Sequence, residues 1–335
     1  MSKNCPINLR IKNNYENRSK TFLTRRTPVI IRLDGKTFHS YTKGLNRPFD
    51  DGLIEDMKLT TLYLCQEIQG AVCGYTQSDE ISILVIDYNN LNSDAWFDYN
   101  VQKITSISAS MATAKFNQLR TRRAMLESNS EFYDEFKMDY KIASIDLKDK
   151  GKFDHKLRSL QLILKTFNDV KLANFDSRCF NIPKEEVNNY FVARQRDAVK
   201  NSIAMVAQSM YSTKELHQKN GNDMQEMIFQ KGQNWNDLPY EKKRGTFVIK
   251  NTYWNDELVN VNHAKLRQKI EYSTESGVYL NGNNQYVKRD LGNPPDYTQE
   301  VKIDKIRTKW ESIKTPTFSH ENFWYIDYLI KNLSI

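Results

Sequence analysis

The sequence predicts an α+β protein whose central unit runs β-α-β-β-α-β, the split-βαβ or ferredoxin-like order in which the two middle strands pair as a hairpin. Three observations carry this expectation. An apolar run, "PVIIRL", delivers a carboxylate and a glycine, Asp34 and Gly35. A helical stretch is followed by two β-rich runs separated only by "SDE". Further along, a second helical stretch, a strand and a long helix complete the order before the composition changes.

Residues 28–33 read as the first strand, because Val29, Ile30 and Ile31 suit a buried, pleated surface. Residues 51–69 read as a helix with Leu53, Ile54, Met57, Leu62, Leu64 and Ile68 at apolar positions, and Gly70 lies just past its end. "AVCGYTQ" (71–77) and "ISILVI" (81–86) form the hairpin. "VQKITSISASMATAKFNQL" (101–119) has helical spacing, and its many small residues suit close packing on a sheet. "VKLANFDSRCFNI" (170–182) reads as a strand and residues 183–211 as a long helix with Pro183 at its start. Polymerase palm domains are built in this order. The charge-dense piece at about 120–169 reads as an insertion. The organisation is thus an N-terminal segment (1–27), a palm-like domain (28–250) and a C-terminal extension (251–335) with turn signals such as "NGNN" and aromatic-rich pieces.

The chain has 335 residues, 39% of them hydrophobic and 27% charged. That is enough apolar material for a core beneath a very polar surface. No stretch approaches the roughly 18 consecutive apolar residues of a membrane span, and the N-terminus has no apolar secretory region, so a cytoplasmic protein without membrane contact is expected. The four cysteines show no C-x-x-C pair and no zinc-ligand spacing, and they read as reduced thiols. The net charge of +8 permits a polyanionic partner without requiring one.

Asp34 at the end of the first strand and Asp79-Glu80 in the hairpin turn come together in a split-βαβ unit. Carboxylates held at one spot repel each other unless divalent cations lie between them. Mg2+ suits such a site, since it takes a few carboxylate oxygens and leaves its other positions to water and phosphates. Two ions would serve in-line phosphoryl transfer. Gly35, having no side chain, would let its backbone approach an ion or phosphate. The same residues also read as an ordinary Asp-Gly turn and a solvated hairpin tip.

"RLDGKTFHSYTKGLNRPFDDGL", "GYTQSDEISIL", "FDSRCFNIP", "NYFVARQRDAVKNSI" and "KKRGTFV", in this order along the chain, closely resemble the tRNA-His guanylyltransferase family, including its guanylyltransferase-like branch. The resemblance covers roughly residues 28–119 and 170–250. It implies a palm enzyme that adds nucleotides to the 5′ end of tRNA in the 3′-to-5′ direction, with ATP and GTP as substrates and two Mg2+ ions. Activation of a 5′-monophosphate would precede attack by the 3′-hydroxyl of an incoming triphosphate. By the same resemblance, Asp34, the Gly35 carbonyl and Asp79 are the metal ligands, with Glu80 beside them in the catalytic set. Lys36, Thr37, Phe38 and His39 cradle the triphosphate, with Ser78, Arg47 and Lys103 completing the nucleotide site. Arg194, Asn201, Lys243 and Arg244 face RNA, and the protein assembles as a dimer or tetramer.

Each of these also has a plainer reading: His39 as a structural histidine, Arg47 and Lys103 as solvated cations, and Arg194 with Asp197 as an i,i+3 surface pair. Arg120, Arg122 and Arg123 form a further basic cluster that can track phosphates or be solvated. One departure bears on substrate. After Asp197 the tRNA-His-specific members read His-Ile-Asn-Asn-Leu-Tyr-Asn, whereas this chain reads "VKNSIAM", with Val199 in place of the histidine and Asn201 retained. Templated repair of truncated 5′ ends is therefore the expected activity, with guanylylation of tRNA-His as the alternative. A nucleotide cyclase built on the same palm and a non-catalytic RNA-binding module are the rivals from other classes. The cyclase is opposed by the absence of its Gly-Gly-Asp/Glu-Glu-Phe hairpin, and the module by the intact carboxylates.

Overall fold

The structure is a computed structural model and describes residues 6–128, 169–259, 278–280, 286–288 and 301–319, together with Ile326 and Leu329. Most of the expected insertion and much of the C-terminal extension lie outside the described residues. The chain forms two compact units, Met1–Ile249 with Glu311–Ile335, and Lys250–Trp310.

The first unit is built on an antiparallel sheet. Strand β1 (Val29–Gly35) pairs on one side with β3 (Glu80–Val85) and on the other with β4 (Phe175–Asn181), while β2 (Ala71–Gln77) pairs with β3. The strand order is β4-β1-β3-β2, continued by β5 (Thr246–Val259), whose residues Thr246–Ile249 pair with Cys73–Thr76. Because β1 and β2 both run antiparallel to β3, they are parallel to each other with β3 between them. Helix α1 (Pro6–Asn14) precedes the sheet, a short helix α2 (Phe38–Tyr41) follows β1, and helix α3 (Asp51–Glu67) then makes the crossover to β2. Asp50 caps α3 by accepting a hydrogen bond from the Leu53 N–H at 2.7 Å.

Helix α4 (Val101–Ser128) packs beside α3 and against β4, where Ser108 and Ser177 hydroxyls meet at 2.8 Å. It continues well past residue 119, so Arg120, Arg122 and Arg123 belong to a helix of the fold rather than to the insertion. Helix α5 (Lys184–Met210) covers the opposite face of the sheet. Consecutive residues of β2 show this: a Cβ on Gly74 would lie 2.6 Å from Cys65 Sγ and 2.8 Å from Thr61 of α3, while Tyr75 packs edge-on to Phe191 of α5. The α5-side core comprises Ile30, Val72, Tyr75, Leu84, Val187, Phe191 and Phe247, and it is closed by Phe318, Ile326 and Leu329 from the C-terminal part of the chain. Phe318 stacks on Phe191, and its N–H donates to Gln195 Oε1 at 2.9 Å.

Beyond α5, helix α6 (Gly221–Gln230) and Trp235 form a second cluster with Ile203, Val206 and Ala207. Trp235 Nε1 donates to Ser202 Oγ at 2.9 Å, and helix α7 (Tyr240–Arg244) leads into β5. In the second unit β5 continues beside β8 (Val301–Ile313), and β6 (Val278–Leu280) pairs with β7 (Tyr286–Lys288). Cys65, Cys73 and Cys179 are free thiols. Among the described residues no helix is long and apolar enough to cross a membrane.

Candidate functional site

Strand β1 does not stop at its apolar residues; pairing on both sides carries it through Asp34 and Gly35. Asp34 stands opposite Glu80 on β3 and opposite Asp176 on β4. The β2–β3 hairpin closes through Ser78 and Asp79, with Ser78 in the left-handed region at φ 51°. The Gly35 N–H donates to the Asp79 carbonyl at 3.1 Å, which pins the end of β1 to the hairpin turn and sets the two carboxylates at one end of the sheet.

The electrostatics follow from that placement. The Asp79 carboxyl is pushed above the ordinary aspartate range, first by burial and further by the charge of Asp34. Asp34 is more exposed, and Arg178 Nη2 stands 4.0 Å from its Oδ2 while also holding Asp176 at 3.1 Å. Beside the two carboxylates lies a cavity of about 410 Å³ lined by Gly35, Thr37, Phe38, His39, Thr42, Leu53, Ser78 and Asp79. Thr37 (φ 53°) turns the chain into α2, leaving Lys36, Thr37 and His39 exposed, and His39 Nε2 is 3.0 Å from Ser40 Oγ. A smaller cavity adjoins it, sharing Leu53 and Ser78 and reaching Asn201, Lys242, Lys243 and Gly245. Among the described residues no three His, Cys, Asp or Glu side chains converge at metal-ligand spacing. Two carboxylates with backbone carbonyls and space for phosphate suit Mg2+, which keeps most of its shell for water and substrate.

Residues 10–183, more than half of the chain, match the family described as tRNA(His) guanylyltransferase. The chain belongs to the tRNA(His) guanylyltransferase family. Members of that family are nucleotidyltransferases, and the chain is an enzyme of that class. It is similar to a bacterial tRNA(His) guanylyltransferase-like protein solved in complex with ATP, at 43% identity and a TM-score of 0.56, over 71% of this chain and 84% of that one. It is also similar to a bacterial tRNA(His) guanylyltransferase-like protein solved in complex with GTP, at 33% identity and a TM-score of 0.58, over 94% of this chain and 95% of that one. A probable tRNA(His) guanylyltransferase of Dictyostelium discoideum is 24% identical over 236 residues, 66% of this chain and 75% of that protein.

Of the positions that resemblance to the guanylyltransferases singled out, the fold gathers Gly35, Thr37, His39, Ser78 and Asp79 around one cavity, with Asn201 and Lys243 at the adjoining one, and sets Asp34 beside Asp79 at its edge. Glu80 stands differently from its expected place in the turn. It is the first residue of β3, only 5% exposed, and its Oε2 receives Arg32 at 2.6 Å and Arg194 at 3.3 Å. Strand alternation sends it to the α5 side, where Arg194 also pairs with Asp197 at 2.8 Å. Phe38 likewise forms part of the floor of the cavity, buried against Tyr41, Phe116 and Phe175. Gly35 has a packing reason to be glycine, since a Cβ there would lie 2.2 Å from the Phe38 ring.

Two of the expected cations, Lys103 and Arg47, line neither cavity. Lys103 occupies the first turn of α4 with its Nζ 5.7 Å from the Phe97 ring centroid. It precedes Phe116, which packs under the cavity, by a run of helix about 20 Å long at 1.5 Å per residue. Arg47 is exposed on the loop between α2 and α3. Arg120 and Arg123 do not form a free basic surface: both bind the buried Asp56 of α3, at 3.1 and 2.8 Å. Residue-by-residue reading missed Arg32, Arg178 and Asp56. The first two become legible once "FDSRC" is laid antiparallel to "VIIRLDG", which sets Asp176 against Asp34 and Arg178 against Arg32. Asp56 carries no such signal, for it is one acidic residue on an amphipathic helix.

Proposed function

We propose that this protein is a Mg2+-dependent 3′-to-5′ nucleotidyltransferase that adds nucleotides to the 5′ end of tRNA, and that its β4-β1-β3-β2 sheet with α3 and α4 is a polymerase-type palm. The observation that carries the reading is the Gly35 to Asp79 hydrogen bond, which holds Asp34 and Asp79 together beside a cavity large enough for a nucleotide. Asp34, the Gly35 carbonyl and Asp79 would hold the cations. When bound, these would offset the carboxylate charge and polarise phosphoryl oxygens.

The chain's own residues do the rest. Burial first and the charge of Asp34 second raise the Asp79 carboxyl, and cations held between the two carboxylates would relieve that repulsion, so that a triphosphate arriving with them would meet an acidic wall at the carboxylates and a polar one at Ser78. His39, exposed in the cavity lining, and Lys36, exposed directly after Gly35, would contact its phosphates. Leu53 and Thr42 line the far wall and would limit water around the nucleotide. The Glu80 clamp keeps β1, β3 and α5 in register beneath the turn, and Glu80 is a positioning residue in this scheme.

For substrate, we propose templated repair of shortened 5′ ends, supported by Val199 standing where the tRNA-His-specific members carry histidine. Dedicated guanylylation of tRNA-His is the second reading, carried by the family itself. Incubation with Mg2+, ATP, GTP and a panel of full-length and 5′-truncated tRNAs, followed by mapping of the product 5′ ends, separates them. Repair requires the added base to follow the opposing acceptor-stem base when that base is changed from C to A. Continued addition of G opposite A would establish guanylylation instead.

A further inference from the structure

Helix α7 and the returning C-terminal segment place three cations on one aromatic ring. Lys314 Nζ lies 4.8 Å from the Tyr240 ring centroid, the Arg244 guanidinium 5.3 Å and Lys243 Nζ 5.8 Å. Lys243 and Arg244 reach the ring because they follow Tyr240 by three and four residues on a helix. Lys314 arrives from far along the chain and is held in place locally: Thr315 Oγ1 donates to the Gly245 carbonyl at 2.6 Å, and the Tyr240 and Thr317 hydroxyls meet at 3.1 Å.

Among the described residues the positive charge of this cluster meets no carboxylate, although Lys243 Nζ also donates to the Asn236 carbonyl and lies 5.7 Å from the Trp235 ring centroid. Lys242, on the same short helix, pairs with Asp51 at 2.7 Å. Among the described residues no carboxylate lies within ion-pair distance of Lys243, Arg244 or Lys314. Three like charges converging on one ring repel one another, and the ring's negative face offsets only part of that repulsion. An array of this kind is poised for a chain of regularly spaced anions. Its neighbour is the active site, because Lys243 and Gly245 line the cavity that also contains Ser78 and Asn201.

We propose that Lys314, Lys243 and Arg244, gathered on Tyr240, bind the phosphate backbone of the RNA strand that leads away from the reacting end, so that the C-terminal part of the chain takes part in substrate binding. The assignment rests on the nucleotidyltransferase reading for the identity of the RNA. Each lysine that neutralises a phosphate releases condensed counterion, so its loss flattens the salt dependence of binding as well as weakening it.

The test measures binding of a tRNA lacking its first 5′ nucleotide across a series of salt concentrations, for the wild type, Lys314→Gln and Lys314→Arg. The expected result is a log affinity against log salt slope shallower by about 0.7 to 0.9 in Lys314→Gln, with the slope restored in Lys314→Arg. A Lys314→Gln variant with the wild-type slope overturns the proposal and leaves the catalytic reading intact. A variant that loses affinity for poly-glutamate but not for tRNA overturns it too, by assigning the surface to an acidic protein. Wild-type protein that binds tRNA through Lys314 yet extends none supports this surface and sinks the catalytic reading.

Discussion

Replacing Glu80 with glutamine separates structure from chemistry at the hairpin. The carboxylate is almost fully enclosed, with its side chain 7% exposed, and it serves guanidiniums that are themselves only 25% (Arg32) and 19% (Arg194) exposed. Arg194 keeps Asp197 as a second partner. Arg32 has no other ion pair among the described residues, and its buried Nε is already without a hydrogen-bond partner. Glutamine keeps the shape and removes the charge, leaving a half-buried guanidinium uncompensated. Breaking a buried pair in this way costs about 3–5 kcal/mol, and the partial exposure of both arginines argues for the lower end, about 3 kcal/mol. At about 2–4 °C per kcal/mol for domains of 150–250 residues, the expected fall in Tm is roughly 6–12 °C. Thermal melts by circular dichroism in EDTA would measure it, alongside nucleotide addition well below the melting range. Replacing Arg32, Glu80 and Arg194 together by methionine should recover much of the lost stability, because the desolvation cost of the whole clamp disappears with it. A Glu80→Gln protein that melts with the wild type but adds no nucleotide would refute this reasoning and return Glu80 to the chemistry.

Asp79→Asn should abolish addition to tRNA while making the metal-free protein more stable at neutral pH. Burial raises the folded-state pKa of Asp79, so the folded protein binds more protons than the unfolded one between the ordinary aspartate value of about 3.9 and the raised one. Wild-type stability therefore falls with rising pH across that window and levels off above it. Urea midpoints against pH should show the asparagine variant without that fall, and a variant less stable than wild type at neutral pH would contradict it. Gly35→Ala should destabilise by about 1–3 kcal/mol through overlap with the Phe38 ring, with partial recovery in Gly35→Ala/Phe38→Leu. An alanine variant of normal stability and no activity would instead show that Gly35 matters only for the approach of its backbone to a ligand.

How much of this was legible in the sequence depends on how local the signal is. The sequence reading of strand β1, the hairpin and α3 lies within two residues of the observed ends, because apolar periodicity and the Gly70 boundary are local chemistry. The sequence pattern ends helix α4 at residue 119, because its last turns are rich in charge. Those charges face Asp56 of α3, a partner that no linear window contains. By sequence "SDE" reads as a tip that includes Glu80, and only the pairing of Gln77 with Glu80 shows that the tip ends at Asp79. The one-residue difference moves the carboxylate to another environment, since strand side chains alternate.

The sequence by itself determined the family, the strand that ends in Asp34-Gly35 and the turn that carries Asp79, since each rests on residues close together in the chain. Only the tertiary structure decided what Glu80, Gly35 and the three cations on Tyr240 face. Glu80 meets arginines 48 and 114 positions away, Gly35 is shaped by a phenylalanine ring fixed by distant aromatics, and Lys314 joins Tyr240 across 70 residues and more of chain. Such pairings are selected by the packing of whole elements, and a charge or a ring carries no local record of the partner that packing will bring to it.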